Sequence, residues 1–218
     1  MTVGDPRVTL HDDALATLRA WTPPTPAQVE LRDRYVTHLE SHPDGALRVC
    51  VPDHLTASCL VMSADGAQVL LTLHAKARRW FQFGGHPEPD DASLLAAATR
   101  EAVEESGLAG LTLLPEPVQL SEHAVPFCGA SGDVHHLDVR FLAVAPPDAA
   151  HAVSEESLDV RWWPADALPD PEPELVELVA LARARLAAER QSTSSSPSSS
   201  SSSPGGAGIL LAADQPRR

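Results

Sequence analysis

Paired cysteines are missing from this sequence. Cys50, Cys59 and Cys128 lie far apart and form no Cys-x-x-Cys pair, so neither a disulfide framework nor a thiolate zinc site is suggested, and free thiols in a reducing compartment are expected. Long apolar runs are missing too. No stretch approaches a membrane span, and the opening Met-Thr-Val-Gly-Asp-Pro-Arg has no basic region followed by an apolar core, so the expectation is a cytoplasmic protein with no membrane partner. Positive charge is scarce: 16 basic against 30 acidic residues give a net charge of −14. With no basic run to offset that balance, duplex nucleic acid is a poor partner, and a small phosphorylated substrate bridged to the protein by cations fits better.

What is present centres on residues 84–108. Two glycines, Gly84 and Gly85, lead into a stretch in which Leu94, Leu95, Ala98, Ala102 and Val103 recur at spacings near three and four. That pattern predicts a helix from about Ser93 to Ser106. Asp91 or Ser93 is a ready cap for its start, and Gly107 is a ready left-handed stop. Along the helix Glu101, Glu104 and Glu105 fall on one face, where like charges repel and the helix dipole disfavours them. A hard divalent cation such as Mg²⁺ turns that repulsion into attraction, because carboxylate oxygens suit it. A solvated acidic face is the plain alternative.

The order Arg100-Glu101-Ala102-Val103-Glu104-Glu105-Ser106-Gly107-Leu108 resembles the second half of the Nudix hydrolase signature. In the first half, counting on from Gly85 puts Asp91 at the glutamate slot, whereas counting back from Arg100 puts Ala92 there. This reads as a one-residue insertion between loop and helix. The resemblance implies an α/β/α sandwich with a mixed central sheet. It also implies hydrolysis of a phosphoanhydride bond in a nucleoside diphosphate linked to another moiety, with Mg²⁺ or Mn²⁺ as cofactor. Glu101, Glu104 and Glu105 would be the ligands, with Gly85 through its carbonyl, and Arg100 would pair with a box acid and fix the helix.

The rest of the chain is consistent with that α/β class. Helices are expected over 12–21 and 26–42, ahead of strands at 55–62, 68–73, 80–83, 111–120, 134–145 and 160–163 and a last helix at 172–190. Residues 1–50 read as an N-terminal helical extension, 51–190 as the Nudix domain, and 191–218, rich in serine, proline and glycine, as a disordered tail. The two N-terminal helices suit a cap on the core, with a pocket wall or a homodimer interface as the alternative. His38 and His42 lie four apart on the second helix, and an exposed face explains them better than zinc.

The general base is expected either in the box or in Ser154-Glu155-Glu156-Ser157, where Glu156 and then Glu155 stand before the 160–163 strand. On the 134–145 strand, alternation puts His136, Asp138 and Arg140 on one face. That face is assigned to the substrate, together with Trp80, Gln82 and His86 flanking the glycines, against a solvated sheet face and a core role for Trp80. Rival functions are a catalytically silent Nudix-like nucleotide-binding module, an isopentenyl-diphosphate isomerase-like enzyme, for which no convincing cysteine and acid pair is found, and removal of 5′ phosphates from RNA, which the acidic balance opposes.

Overall fold

The structure is a computed structural model that describes residues 9–125, 128, 134–147, 149–153, 157–169 and 172–194. Its elements are helices α1 (Leu10–Ala20) and α2 (Pro26–Ser41), strands β1 (Asp53–Met62), β2 (Gln68–His74), β3 (Trp80–Phe81) and β4 (Phe83–Gly85), helix α3 (Leu94–Ser106), strands β5 (Thr112–Leu113), β6 (Gln119–Ala124), β7 (His135–Val144) and β8 (Ser157–Pro164), and helix α4 (Pro173–Ser194). The expected α/β class with a mixed sheet and N-terminal helices is found.

The sheet is built on one long parallel pairing, β1 with β7, in register from Asp53 opposite His135 to Met62 opposite Val144. Strand β2 pairs antiparallel with the end of β1 and β4 with its middle, at Ala57 to Cys59, while β5 and β6 pair antiparallel with different stretches of β7. Strand β8 then pairs with β2. Alternate residues of β1 and β7 point to opposite faces, which sorts the core into two layers. Leu55, Ala57, Cys59 and Val61 with Leu137, Val139, Phe141 and Ala143 pack against α1, α2 and α3. Leu60, Met62, Val69, Leu71 and Leu142 pack against α4 through Leu175, Leu178, Val179, Ala182 and Leu186.

Three expected segments differ. The single strand expected at 80–83 is two: β3 pairs with β2 and β4 with β1, so the chain switches partner around Gln82. The strand expected at 111–120 is also two, and Pro115 and Pro117 lie in the break, where a residue without an N–H cannot extend a ladder. The final helix runs through Ser194, so Gln191 to Ser194 are helical rather than tail.

The N-terminal helices are tied to the sheet by specific polar contacts as well as by the buried Leu18, Trp21, Tyr35 and Leu39. Gln28 donates from Nε2 to the Leu120 carbonyl at 2.9 Å and accepts the Leu120 N–H at 2.6 Å. One side chain thus supplies Leu120 of β6 with both hydrogen bonds a neighbouring strand would have made there. The Tyr35 hydroxyl donates to the Ser121 carbonyl at 2.8 Å. Both helices pack on the core cluster of the sheet through Leu18, Tyr35 and Leu39.

Candidate active site

The acidic helix begins and ends as its sequence predicts. Ser93 accepts the Ala96 N–H at 2.9 Å, and Gly107 closes the helix in the left-handed conformation at φ 68°. A second capping contact comes from outside the segment: the Asp13 carboxylate on α1 accepts the Leu94 N–H at 2.9 Å, satisfying another of the free amides at the helix start.

The glycines let this helix meet β4 closely. A β-carbon at Gly85 would lie 2.6 Å from Glu101 Oε1, so the bare α-carbon leaves the space the carboxylate occupies. At Gly84 it would overlap the backbone of Ser58, and the Gly84 N–H donates to Glu105 Oε2 at 3.2 Å. Arg100 binds the acids together. Its guanidinium donates to Asp91 Oδ2 at 3.0 Å, Glu101 Oε1 at 2.9 Å and Glu104 Oε2 at 3.2 Å, and to the His86 carbonyl at 3.1 Å. Asp91 foremost, then Glu101, raise the guanidinium pKa further above its usual value. Asp91, the residue reached by counting on from Gly85, is thus one of three acids that hold Arg100. The structure brings Gly85, Arg100, Glu101, Glu104 and Glu105 together. Glu155 and Glu156 lie outside the described residues.

The expected substrate face proves to be part of a polar band across three strands, which the alternation of β7 alone could not disclose. The register sets Asp138 beside Thr56 on β1 and Ser121 on β6, and Arg140 beside Ser58 and Gln119. Asp138 accepts from the Thr56 hydroxyl at 3.1 Å, the Ser58 hydroxyl at 2.8 Å and Arg140 Nε at 2.9 Å. Arg140 also donates to Gln119 Oε1 at 2.8 Å. Burial raises the Asp138 carboxyl, but Arg140, His123 and Ser58 outweigh it, so its pKa lies below the ordinary carboxylate range. Both residues are buried with internal partners. Gln82 reaches the edge of this network, 3.4 Å from Asp138. Trp80 packs edge-on against Trp163 at 5.3 Å between ring centres.

At one end of the band His54 and His136 lie side by side, and His86 comes over them from the loop after β4. His86 Nε2 is 3.1 Å from His54 Nε2 and 3.2 Å from His136 Nε2. Cys128 Sγ lies 3.8 Å and 3.7 Å from the Nε2 atoms of His54 and His86. Burial, then His54 and Arg48, lower the His86 pKa to about 4, and burial, then His86, His123 and His54, lower that of His136 to about 3. Among the described residues, these four are the side chains whose ligand atoms already converge enough to hold an ion.

The NUDIX domain family model matches residues 52–182. The chain belongs to the Nudix family. It is accordingly a hydrolase, and membership implies pyrophosphate-bond hydrolysis on nucleoside diphosphate derivatives in a family that generally uses divalent metals. Solved structures agree on the Nudix fold. An Ap4A hydrolase from C. elegans, in a binary complex, is 22% identical with a TM-score of 0.51 and covers 62% of this chain and 98% of its own. The NUDIX domain of NrtR from Shewanella oneidensis, in complex with ADP ribose, is 23% identical with a TM-score of 0.50, covering 64% and 92%. The dihydroneopterin triphosphate pyrophosphohydrolase of E. coli is 17% identical with a TM-score of 0.51, covering 60% and 95%. No curated protein matches significantly. None of the described helices is long and apolar enough to cross a membrane.

Proposed function

We propose that this Nudix domain is a Mg²⁺- or Mn²⁺-dependent enzyme that hydrolyses the phosphoanhydride bond of a small nucleoside diphosphate derivative in the cytoplasm. The observation that carries the reading is the seating of Glu101 against Gly85 and of Glu105 on the Gly84 N–H, with Arg100 joining Glu101 to Glu104 on the same helix. The donor set is hard oxygen, which fits Mg²⁺ or Mn²⁺. Glu101, Glu104, Glu105 and the Gly85 carbonyl would hold the ion, which when bound neutralises phosphate charge and acidifies a water.

The protein's own groups have separate tasks. Asp91 and the His86 carbonyl fix the guanidinium of Arg100, so Arg100 orients Glu101 and Glu104 as a positioning residue. Gly84, donating to Glu105, fixes that carboxylate against β4. Glu156, then Glu155, are the proposed loop bases that take a proton from the attacking water, and unchanged turnover in Glu156→Gln would remove them from that role. Gln82 and Trp80, both half-buried, are retained as substrate contacts. The Ap4A in the name of the C. elegans hydrolase and the ADP ribose bound by the NrtR domain support a nucleotide moiety. The isomerase-like alternative lacks a suitable nucleophile in Cys59, which is fully buried with its thiol pKa pushed up by burial.

The test is nucleotide or phosphate release from a panel of nucleoside diphosphate derivatives with Mg²⁺, comparing wild type with Glu104→Gln. Metal-dependent turnover that the variant loses supports the hydrolase and identifies its substrate class. Tight nucleotide binding without turnover in either protein would instead identify a silent binding module.

A further inference from the structure

We propose that His54, His86, Cys128 and His136 form a second metal centre, distinct from the box carboxylates, that takes one zinc ion through four protein ligands. The four side chains come from separate places in the chain: β1, the loop after β4, the β6–β7 connection and β7. Their ligand atoms all lie within 4.8 Å of one another. A tetrahedral zinc with bonds of about 2.0–2.1 Å to nitrogen and 2.3 Å to sulfur sets its nitrogens about 3.3 Å apart and nitrogen and sulfur about 3.6 Å apart. His86 Nε2 here lies 3.1 and 3.2 Å from the nitrogens of His54 and His136, and the Cys128 sulfur 3.8 and 3.7 Å from the nitrogens of His54 and His86.

Hydrogen bonding alone does not account for the arrangement. His54 Nδ1 faces the Cys50 carbonyl at 2.9 Å, which can only accept, so Nδ1 carries the proton and Nε2 of the neutral ring is a bare lone pair. His86 Nε2 faces His54 Nε2, His136 Nε2 and Cys128 Sγ together, yet it has one hydrogen or one lone pair to offer. A cation at the centre uses every one of these atoms as a donor of electrons. The Nδ1–H of His54 directed at a carbonyl is also the outer contact that orients metal-bound histidines.

Three imidazoles and a thiol suit zinc and are poor ligands for Mg²⁺ or Ca²⁺. With His54 and Cys128 buried and four protein ligands, the site is of the closed, structural kind. Binding releases the Cys128 thiol proton to solvent and leaves a thiolate on the metal. The ion would join β1 and β7 to the loop whose His86 carbonyl holds Arg100, and so brace the box from the far side of the glycines.

The full chain, purified without chelator, should contain close to one zinc per molecule by elemental analysis. Cys128→Ser and His136→Gln should each weaken zinc affinity more than about 10²-fold, while Glu104→Gln keeps it. Cobalt offered to the metal-stripped protein should give an intense tetrahedral spectrum with a thiolate-to-cobalt band, and Cys128→Ser should lack that band. Should His136→Gln fail to fold, the cobalt spectrum of the milder Cys128→Ser carries the test. Failure of the wild type to bind either zinc or cobalt overturns the proposal, as does zinc that survives both cluster variants but leaves in Glu104→Gln. Metal content is read without substrate, so this outcome is independent of the hydrolase reading.

Discussion

Two polar centres adjoin each other across Gly84, Gly85 and His86, and they are opposites. The box is made of charged oxygen donors on one helix, with Glu104 more than half exposed, and an arginine already holds two of the carboxylates. The histidine centre is made of nitrogen and sulfur from four chain segments, partly or wholly buried. As proposed, a cation would complete a reaction site in the first and fill a position that protein atoms already surround in the second. Local sequence can write the first kind of site, because one helix carries it. Only the fold can assemble the second.

The comparison is sharpened most by removing one ligand from each centre. Glu104→Gln should reduce Mg²⁺-dependent turnover by about 10²-fold or more with zinc content unchanged, measured by steady-state kinetics beside elemental analysis. Equal loss of zinc would merge the two centres into one. Cys128→Ser should lose zinc and lower the melting temperature by about 10 °C, read by calorimetry, since a ligand bound only by the folded state stabilises it.

Gly85→Ala tests the box in a finer way. The crowding atom is the end of the Glu101 side chain, which can move cheaply, so stability should change little while turnover falls about tenfold. A large fall in melting temperature would mean that the backbone, not the carboxylate, sets the spacing. The smallest effect is expected for Asp91→Asn. Burial pushes the Asp91 carboxyl up, but Arg100 and the Glu88 amide outweigh it, so the folded pKa lies below the ordinary value. The stability this gives is present above about pH 3.9 and is lost as pH falls through the lower folded value. Wild type and Asp91→Asn should differ by on the order of 1 kcal/mol near neutral pH and converge in strong acid, as denaturant titrations at several pH values would measure.

Legibility followed the distance between cause and effect along the chain. Helix α3, its Ser93 cap and its Gly107 stop were readable because each signal lies within a turn of what it controls. The turn that joins β1 to β2 is equally local, with the Gly66 N–H donating to the Ser63 carbonyl at 2.8 Å. The division of 80–83 between two partner strands was not readable, since it depends on β2 lying where β3 can meet it while β4 meets β1. The histidine centre was hidden for a stronger reason. His54 and His136 become neighbours only through a parallel register between strands more than seventy residues apart, and Cys128 stands in no short Cys or His motif with the other three ligands. The Asp138 and Arg140 pair was visible on its face, but its burial came from hydroxyls and amides on β1 and β6.

The contacts made by Asp13, Gln28 and Tyr35 separate two boundaries that are easily taken for one. The recognisable family segment begins at residue 52, yet the first turn of its signature helix is completed from residue 13 and an open strand is sealed from residues 28 and 35. The stretch that the family model matches and the stretch whose residues pack into one core are here different lengths of chain. Two relatives could keep every box residue and still differ in whether the box stands upright, according to what each has placed ahead of it.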